Sequence, residues 1–520
     1  MPRGVHVKKR PFAAYLLIAV VTLLYLPLVR YPFVQDDWAL LHEFAFQPAS
    51  ALVLDILSPV GKLFYRPAGD LYSAIVCGLF GLNATGCHLL SMLLLGISSF
   101  LVVSLARHCT GDSRVAWGSG FIYAAASRIH LDSQMWLAGI FDTGAIVCSL
   151  ACIAAFLRTR TVPSVLWFAL ALGCKESALP LVIVLLAYAL VVENHEGRAA
   201  TVIGALYRRL RVHVIVLVVY LASKVAGISL FRLPPEHPYA ARVLGEHTRD
   251  HFLVYAGWVL QAVTPTKNIA FSGSASLLFL AIALAGLAIV FLAVAIWVQN
   301  ARVDVRGPAR LALFLGAWGL LMMVPPVALQ HQMLRYYLGI VLPPFAIGTM
   351  LVVRALFVPF GKGVRGLAIA STVIATVNVI DGTLFIQHRI SLGAQEGIHS
   401  SGREGDNHLI RKASVVREVW KPLMALVPSV PQHSVIIMEG VATGTFADRL
   451  GPQVWYGDST LQVTSILPAP PDTNGFYRVT LPPEDPWKDA VGSNVVTVPA
   501  ARLVHVRDDQ GTMVLVNPGM

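Results

Sequence analysis

The sequence has few charged residues, and it has no cysteine after residue 174. Only 13% of the 520 residues are charged, about half the fraction found in soluble globular proteins, whereas 56% are hydrophobic. Most of the chain therefore faces something other than water, and a soluble globular protein is excluded. Without cysteines, the C-terminal part has no disulfide framework. We interpret the six cysteines of the apolar part as packing residues.

Motifs that bind soluble nucleotides, and motifs that mark common hydrolase active sites, are also absent. The sequence contains no P-loop, no nucleophile elbow and no zinc-protease motif. The net charge of +11 does not indicate a nucleic-acid partner, because the basic residues before residue 385 lie mostly in short clusters between apolar runs. Such clusters determine the orientation of membrane proteins.

The apolar runs predict about eleven transmembrane helices, since a span needs about 20 mostly apolar residues. The first run follows Lys8, Lys9 and Arg10 and has no small-residue cleavage site after it, which favours an uncleaved first helix. The predicted spans lie near residues 12–29, 86–106, 115–127, 137–157, 164–174, 178–192, 212–230, 275–298, 309–327, 338–357 and 364–385.

Basic residues fall in alternate loops between these spans, which predicts a cytoplasmic N-terminus. The basic loops contain Arg107 and Arg114, Arg158 and Arg160, Arg198 to Arg211, Arg302 to Arg310, and Arg354 to Arg365. The opposite loops contain the chemically unusual residues, which we therefore expect on the outer face. In one of them, Pro67 to Leu82 has Leu71, Ile75 and Leu79 at helical spacing, which predicts a helix in the interface plane.

After Phe385 the apolar pattern ends. A polar segment at 387–407 predicts a linker, and 409–427 has the pattern of an amphipathic helix. Short β-type runs follow at 435–438, 454–456, 461–467, 476–481, 495–498, 503–506 and 513–516, the last two flanking a hairpin signal at 508–511. We thus expect an all-α polytopic membrane domain over 1–385 and a small α+β extracytoplasmic domain over 386–520.

Several outer-loop residues are candidates for chemistry. Asp36 and Asp37 can supply a base and a metal or hydroxyl ligand, although such a pair also occurs as a solvated loop or helix cap. Arg66, at the start of the interfacial helix, suits a lipid-linked phosphate or an interfacial anchor. Asp142, within an apolar helix, needs a partner or a cavity.

Further candidates lie at other outer helix ends. Lys175 and Glu176 are adjacent, so they do not pair with each other on a helix and each needs its own partner. Arg335 and Tyr336 suit a phosphate or sugar, or an interfacial anchor with its aromatic belt. His130 and Asp132 can be metal ligands, but one histidine with scattered acids is no dedicated metal site.

The order and spacing of these features over residues 12 to about 192 resemble the C-type (GT-C) polytopic glycosyltransferases that use polyprenyl-phosphate sugars. The sequence is most similar to the membrane part of the O-mannosyltransferases that carry tetratricopeptide repeats, and to their bacterial relatives. The matching pieces are Asp36-Asp37, Tyr65-Arg66-Pro67, Gly81-Leu82-Asn83 leading into Gly86-Cys87-His88-Leu89-Leu90, Trp136-Leu137-Ala138-Gly139 with Asp142, Lys175-Glu176-Ser177-Ala178-Leu179, and later Arg335-Tyr336 and Pro343-Pro344.

The resemblance implies that an acid of the first outer loop acts as base or positions the acceptor hydroxyl, and that interfacial basic residues hold the lipid phosphate. It allows a divalent cation and requires no soluble cofactor. Ser127-Arg128 stands where the relatives usually have His-Pro, and the tetratricopeptide repeats are absent. A protein acceptor therefore does not follow, and a lipid or polysaccharide acceptor remains open.

We expect a glycosyltransferase that moves a hexose or pentose from a polyprenyl-phosphate donor to a hydroxyl on the extracytoplasmic side. Asp36 or Asp37 would be the base, and Arg66, Lys175 and Arg335 would stabilise the leaving phosphate. The alternative is a transporter or flippase of lipid-linked saccharides, although the sequence shows no clear internal repeat. We interpret the tail as an accessory for acceptor recognition. The absence of tail cysteines favours a bacterial plasma membrane.

Overall fold

The structure, a computed structural model, describes most of the chain. The described residues are 11–192, 199–226, 233–234, 236–237, 239–243, 245–264, 306–357, 363–395, 408–441, 447, 449–468, 470–474, 476–481, 494–509 and 512–516. The predicted span at 275–298 lies outside them.

The first part of the chain is helical, as the apolar pattern predicts. Its helices are α1 Pro11–Tyr25, α2 Asp36–Phe46, α3 Ala49–Leu57, α4 Pro67–Phe80, α5 Ala84–Thr110, α6 Ser113–Ala125, α7 Ser127–Met135, α8 Ile140–Leu157, α9 Thr161–Cys174, α10 Leu181–Val191, α11 Ala199–Ala226, α12 Glu246–Val263, α13 Arg306–Ala328, α14 Leu342–Phe357 and α15 Gly363–Gln395. Short 3-10 turns cover Leu26–Arg30, Leu137–Gly139, Glu176–Ala178 and Arg335–Ile340.

Five helices of the described part are long and apolar enough to cross a membrane: Phe12–Arg30, Ala84–Thr110, Leu137–Leu157, Ala309–Ala328 and Gly366–Ser391. Shorter apolar helices cover Pro67–Phe80, Thr161–Cys174, Glu176–Val191 and Leu342–Leu356. Helix α11 exposes Ile215, Val218 and Val225 by 58%, 58% and 78%, which is apolar surface that a water-soluble helix would bury. The chain is an integral membrane protein, and the number of eleven spans stays a prediction.

The two ends of the bundle differ in chemistry. At one end the loops predicted to be cytoplasmic come together: Arg158 donates to Ser104, Arg209 to the Phe156 carbonyl and Arg354 to the Thr110 carbonyl. The loops predicted to be extracytoplasmic meet at the other end, where they enclose a cavity. The contacts within each group of loops support the alternation of the two kinds of loop along the chain that the basic residues predict.

Helix α4 has the predicted amphipathic arrangement. Leu71, Ile75 and Leu79 are exposed by 51%, 52% and 71%, whereas Ser73 on the opposite face is 3% exposed. The apolar stripe is thus available to lipid, and the polar side of the helix faces the protein.

The C-terminal part is a small α+β unit. It contains α16 His408–Leu426, α17 Leu450–Tyr456 and the strands β1 Val435–Glu439, β2 Gln462–Thr464, β3 Phe476–Leu481, β4 Asn494–Pro499, β5 Leu503–Asp509 and β6 Thr512–Leu515. One sheet has the order β2-β1-β5-β6, in which β1 is parallel to β2 and β5 while β5 and β6 are antiparallel. Strands β3 and β4 form a separate antiparallel pair.

Two sequence predictions about this region need correction. The run 454–456 was expected to be a strand, but it is the end of helix α17. Trp455 of that run stacks on Trp420 and meets Trp38 edge-on, so tertiary packing decides the conformation against the β propensity. In addition, α15 continues to Gln395, so part of the expected linker at 387–407 is helical, and 396–407 lie outside the described residues.

Candidate active site

The two acids of the first outer loop have different environments. Both lie in the first turn of α2, where carboxylates are favoured, but adjacent residues of a helix point in different directions. Asp37 is 0% exposed and accepts hydrogen bonds from the backbone N–H groups of Val34 (3.1 Å) and Ala138 (3.0 Å). Asp37 therefore ties the first outer loop to the start of the fourth predicted span.

Asp36 instead lines a cavity. Asp36 is exposed, yet the surrounding protein raises its pKa by desolvation, while Lys412 and Arg66 partly lower it. The carboxylate is both accessible to a ligand and more basic than a free aspartate, which are the properties of a general base.

The cavity has a volume of about 170 Å³. Residues from α2, α8, two 3-10 turns and several connecting segments contribute to its wall. Together they present two acids, two cations and several aromatic rings. The lining residues are Asp36, Ala39, Leu40, Phe64, Arg66, Trp136, Ala138, Phe141, Asp142, Lys175, Tyr239, Tyr336 and Tyr337. We call this cavity the catalytic cavity.

Arg66 is held by a carboxylate behind the wall. Its Nε and Nη2 lie 3.0 and 2.8 Å from one oxygen of Glu176, and the other oxygen of Glu176 lies 2.7 Å from Lys224 Nζ. The guanidinium also stacks over Phe64 at 4.3 Å. These contacts fix the Arg66 side chain at the cavity wall, and the charge of Glu176 raises the pKa of Arg66 despite burial.

Lys175 is the second cation of the wall. Its Nζ lies 2.5 Å from a carboxylate oxygen of Asp142, and 4.7 and 5.3 Å from the ring centres of Tyr337 and Tyr336. Lys175 and Glu176 thus each have a partner of their own, as the spacing requires. Asp142, the acid inside an apolar helix, is both paired and facing the cavity.

Two glycines allow these cations to converge. A side chain at Gly69 of α4 would collide with the ring of Phe141, and one at Gly173 of α9 would lie 2.9 Å from the Cβ of Ala68. Because both positions are glycine, α4 packs closely on α8 and α9. Arg66 and Lys175, at the adjoining ends of α4 and α9, therefore reach the same cavity.

Two cations of the wall could receive an anion. Arg66 and Lys175 both line the cavity, and each is held by one carboxylate, Glu176 and Asp142 respectively. A phosphate entering between Arg66 and Lys175 would be placed beside two largely buried cations, where charge-assisted interactions are stronger than in water.

The remaining predicted site residues lie elsewhere. None of His130, Asp132 and Arg335 is among the residues that line the catalytic cavity. His130 is 2% exposed, its Nε2 lies 3.0 Å from the Tyr123 carbonyl, and burial lowers its pKa to about 4. The Arg335 guanidinium lies 4.7 Å from the Trp258 ring centre. Among the described residues, no group of three or more His, Cys, Asp or Glu has the geometry of a metal site.

Arg128, where the family pattern has His-Pro, has a packing role. Its Nε and Nη2 each lie 3.3 Å from Asp381 of α15, and its guanidinium lies over Phe385. The departure from the pattern therefore falls on the contact between α7 and α15 and not on the wall of the catalytic cavity.

Sequence reasoning missed several residues of the site. Tyr239, Tyr337 and Phe141 line the cavity, Lys224 completes the ion pairs of Glu176, and Lys412 of α16 acts on Asp36. The doublet of tyrosines after Arg335 was a usable signal for Tyr337. Lys224 and Lys412 come from distant segments, and no local spacing connects them to the other residues.

The pKa of Asp37 gives a testable dependence of stability on pH. Burial raises it to about 8, although backbone N–H donors oppose the rise. The pKa of an aspartate in the unfolded chain is about 3.9. Between pH 4 and pH 8, the native state therefore holds a proton on Asp37 that the unfolded state lacks. The contribution of Asp37 to the free energy of unfolding should be greatest below pH 4 and should fall by up to about 1.4 kcal/mol per pH unit until about pH 8.

Asp37→Asn should flatten that dependence, because the amide does not titrate. It should also lower the apparent Tm at pH 5, since both oxygens of the protonated carboxyl can still accept from a backbone N–H, whereas the NH2 group of asparagine cannot, at a cost of about 1–3 kcal/mol. Thermal unfolding of both proteins in one detergent between pH 5 and 8 measures this. Equal slopes for the two proteins would contradict the role of Asp37.

Comparisons with known proteins complete the description of the site. No protein-family model matches the chain, and no curated protein matches it. Among solved structures, the chain is similar to ArnT from Cupriavidus metallidurans bound to undecaprenyl phosphate, with 13% identity, 88% of this chain and 87% of that chain covered, and a TM-score of 0.49.

The apo state of the same ArnT gives 13% identity, coverage of 88% and 86%, and a TM-score of 0.47. The lipid bound to ArnT in the first of these structures is undecaprenyl phosphate.

Proposed function

We propose that this protein is an integral membrane glycosyltransferase that transfers a sugar from a polyprenyl-phosphate donor to an acceptor hydroxyl on the extracytoplasmic side. The observation that carries the proposal is the catalytic cavity, in which Asp36 and two fixed cations, Arg66 and Lys175, share one small space beside apolar helices. A base and a phosphate site next to a lipid phase are the parts that this reaction requires.

In the proposed reaction the acceptor oxygen attacks the anomeric carbon of the donor. A new C–O bond forms there, the bond between that carbon and the phosphate oxygen breaks, and the polyprenyl phosphate leaves with the bonding electrons. Asp36 takes the proton of the acceptor hydroxyl. Arg66 and Lys175 stabilise the negative charge that develops on the departing phosphate, a preorganised electrostatic effect.

Asp36, and not Asp37, is the base in this proposal. Asp37 already accepts two backbone hydrogen bonds and is fully buried, and its pKa of about 8 leaves it largely protonated at neutral pH. Asp36 is open to the cavity. Of the three basic residues expected to hold the phosphate, Arg66 and Lys175 stay in that role, and Arg335 does not line the cavity.

The donor would enter from the membrane along α4. The exposed stripe of Leu71, Ile75 and Leu79 lies on the helix that directly follows Arg66. A donor bound at this helix can therefore keep its prenyl chain in the lipid phase while its phosphate contacts Arg66. The loops that build the cavity belong to the predicted extracytoplasmic set, which supports a reaction, and a C-terminal domain, outside the cytoplasm.

Purified protein, incubated with radiolabelled polyprenyl-phosphate hexose or pentose and solubilised membranes as the acceptor source, tests the proposal. We expect label to move from the donor to a new product in detergent, where no sealed compartment exists. A transporter or flippase would move label only between the two sides of a sealed vesicle. Activity that needs sealed vesicles and produces no new compound would overturn the enzyme proposal.

A further inference from the structure

A second cavity adjoins the catalytic cavity. It has a volume of about 410 Å³ and shares Leu40 and Phe64 with the catalytic cavity. Helices α2, α3 and α4 and the loop before α4 enclose it. Its lining residues are Leu40, Glu43, Phe44, Leu52, Asp55, Ile56, Lys62, Leu63, Phe64, Asp70, Ser73 and Ala74. We call it the acidic cavity.

The charge of the acidic cavity is opposite to that of a phosphate site. Glu43, Asp55 and Asp70 face a single cation, Lys62, whose Nζ lies 2.7 Å from Asp55 and 3.7 Å from Asp70. Two carboxylates are left without a matching cation in the lining, so an anionic group would be repelled. Groups that donate hydrogen bonds, such as hydroxyls and ammonium groups, would be attracted.

A buried hydroxyl in the wall gives a second, independent indication of a ligand. Ser73 is 3% exposed, and its Oγ has no hydrogen-bond partner within the described part of the chain. A buried polar atom without a partner is costly and uncommon in proteins. Because Ser73 lines the acidic cavity, a ligand in the cavity can complete its hydrogen bonding.

We propose that the acidic cavity binds the hydroxyl-rich part of the acceptor, a neutral or positively charged saccharide, next to the hydroxyl that receives the sugar. This inference rests on the proposed function and names the acceptor class for the same site. The cavities share two lining residues, so a saccharide held by Asp70 and Ser73 has a short path for one hydroxyl toward Asp36. The burial that raises the pKa of Asp70 to about 6 is consistent with a carboxylate that hydrogen-bond donors would stabilise.

The experiment measures saccharide binding to the full-length protein, purified in a detergent without a sugar headgroup. The probes are maltose, glucosamine and glucuronate as free saccharides, and dodecyl maltoside as a lipid-anchored one. Ligand-observed NMR reports the binding. We expect glucosamine and at least one maltose compound to bind and glucuronate not to bind. Binding of dodecyl maltoside alone would assign the acceptor to a lipid headgroup, and binding of free maltose would assign it to a soluble glycan.

Two variants test the residues. Ser73→Ala should weaken binding about three- to tenfold, the effect of one neutral hydrogen bond, and Asp70→Asn at least about tenfold. Ser73→Ala removes a polar atom that lacks a partner, so it should not lower the Tm, which separates lost binding from lost folding. Asp250→Asn, at an exposed surface carboxylate, is the matched control.

Equal binding of glucuronate and glucosamine, binding of none of the probes, or unchanged binding in both variants would overturn the inference. Binding of polyprenyl phosphate to the unmodified protein is measured in the same preparation. Its absence would contradict the proposed function, so the two failures are distinguishable.

Discussion

Asp36→Asn should lower the rate of sugar transfer by about 10²- to 10⁴-fold, the usual contribution of a general base. Asparagine has the same shape as aspartate but does not take a proton from the acceptor hydroxyl. Because the phosphate contacts come from Arg66 and Lys175, the variant should bind polyprenyl phosphate as well as the parent protein does. Single-turnover transfer from radiolabelled donor measures the rate, and a binding assay with polyprenyl phosphate gives the second reading.

Asp250→Asn serves as the control for this experiment, since it neutralises an exposed carboxylate that is 64% accessible. Its rate should stay near that of the parent. A rate of Asp36→Asn within tenfold of the parent would show that Asp36 does not take the proton.

Trp455→Ala should lower transfer by at least about 100-fold, although Trp455 lies in the C-terminal domain. Trp38, two residues after Asp36, is 0% exposed and packs edge-on against Trp455 at 5.4 Å between ring centres. Trp420 stacks on Trp455 at 5.7 Å. Removing a buried tryptophan side chain costs about 3–5 kcal/mol, and here the loss falls on the helix that positions the base.

Tyr477→Ala is the matched control for Trp455→Ala. Tyr477 is also a large aromatic residue of the C-terminal domain, buried to 8% exposure, but it packs in the separate cluster with Val435 and Val479. Transfer should persist in this variant. If Trp455→Ala and Tyr477→Ala have equal rates, the tryptophan cluster does not position Asp36.

The same packing changes the interpretation of the tail. The sequence indicates an accessory for acceptor recognition, which a deletion would remove without stopping catalysis. In the structure, however, a deletion of 408–520 would remove Trp420 and Trp455 from Trp38 and Lys412 from Asp36. We therefore expect such a deletion to abolish transfer, not only to alter the choice of acceptor.

The sequence was a good guide where a physical signal is local. Apolar runs and basic loops predicted the positions of most described helices, and the spacing of Leu71, Ile75 and Leu79 predicted the amphipathic helix α4. Short helices without a long apolar run, such as α2, α3 and α7, were not predicted. The strand expected at 454–456 was wrong because a contact with Trp38, distant in sequence, determines that conformation.

The composition of the site was only partly predictable for the same reason. Asp36, Arg66, Asp142, Lys175 and Tyr336 were identified as unusual charges and aromatics at helix ends, and the structure brings them to one cavity. The difference between Asp36 and Asp37 depends on two backbone hydrogen bonds that no sequence pattern shows. The partners Lys224 and Lys412 depend on the packing of helices far apart in the chain.

The central claim, that the catalytic cavity holds the donor phosphate, is tested most directly by changing the two cations that pair with Glu176 and measuring the binding of polyprenyl phosphate. Arg66 and Lys224 both pair with Glu176, but only Arg66 lines the catalytic cavity. Arg66→Gln should weaken binding of polyprenyl phosphate by about tenfold or more, the loss of a charge-assisted contact of about 1.5–3 kcal/mol, and Lys224→Gln by less than about threefold. Equal binding by Arg66→Gln and the parent protein would contradict the assignment of the cavity as the phosphate site.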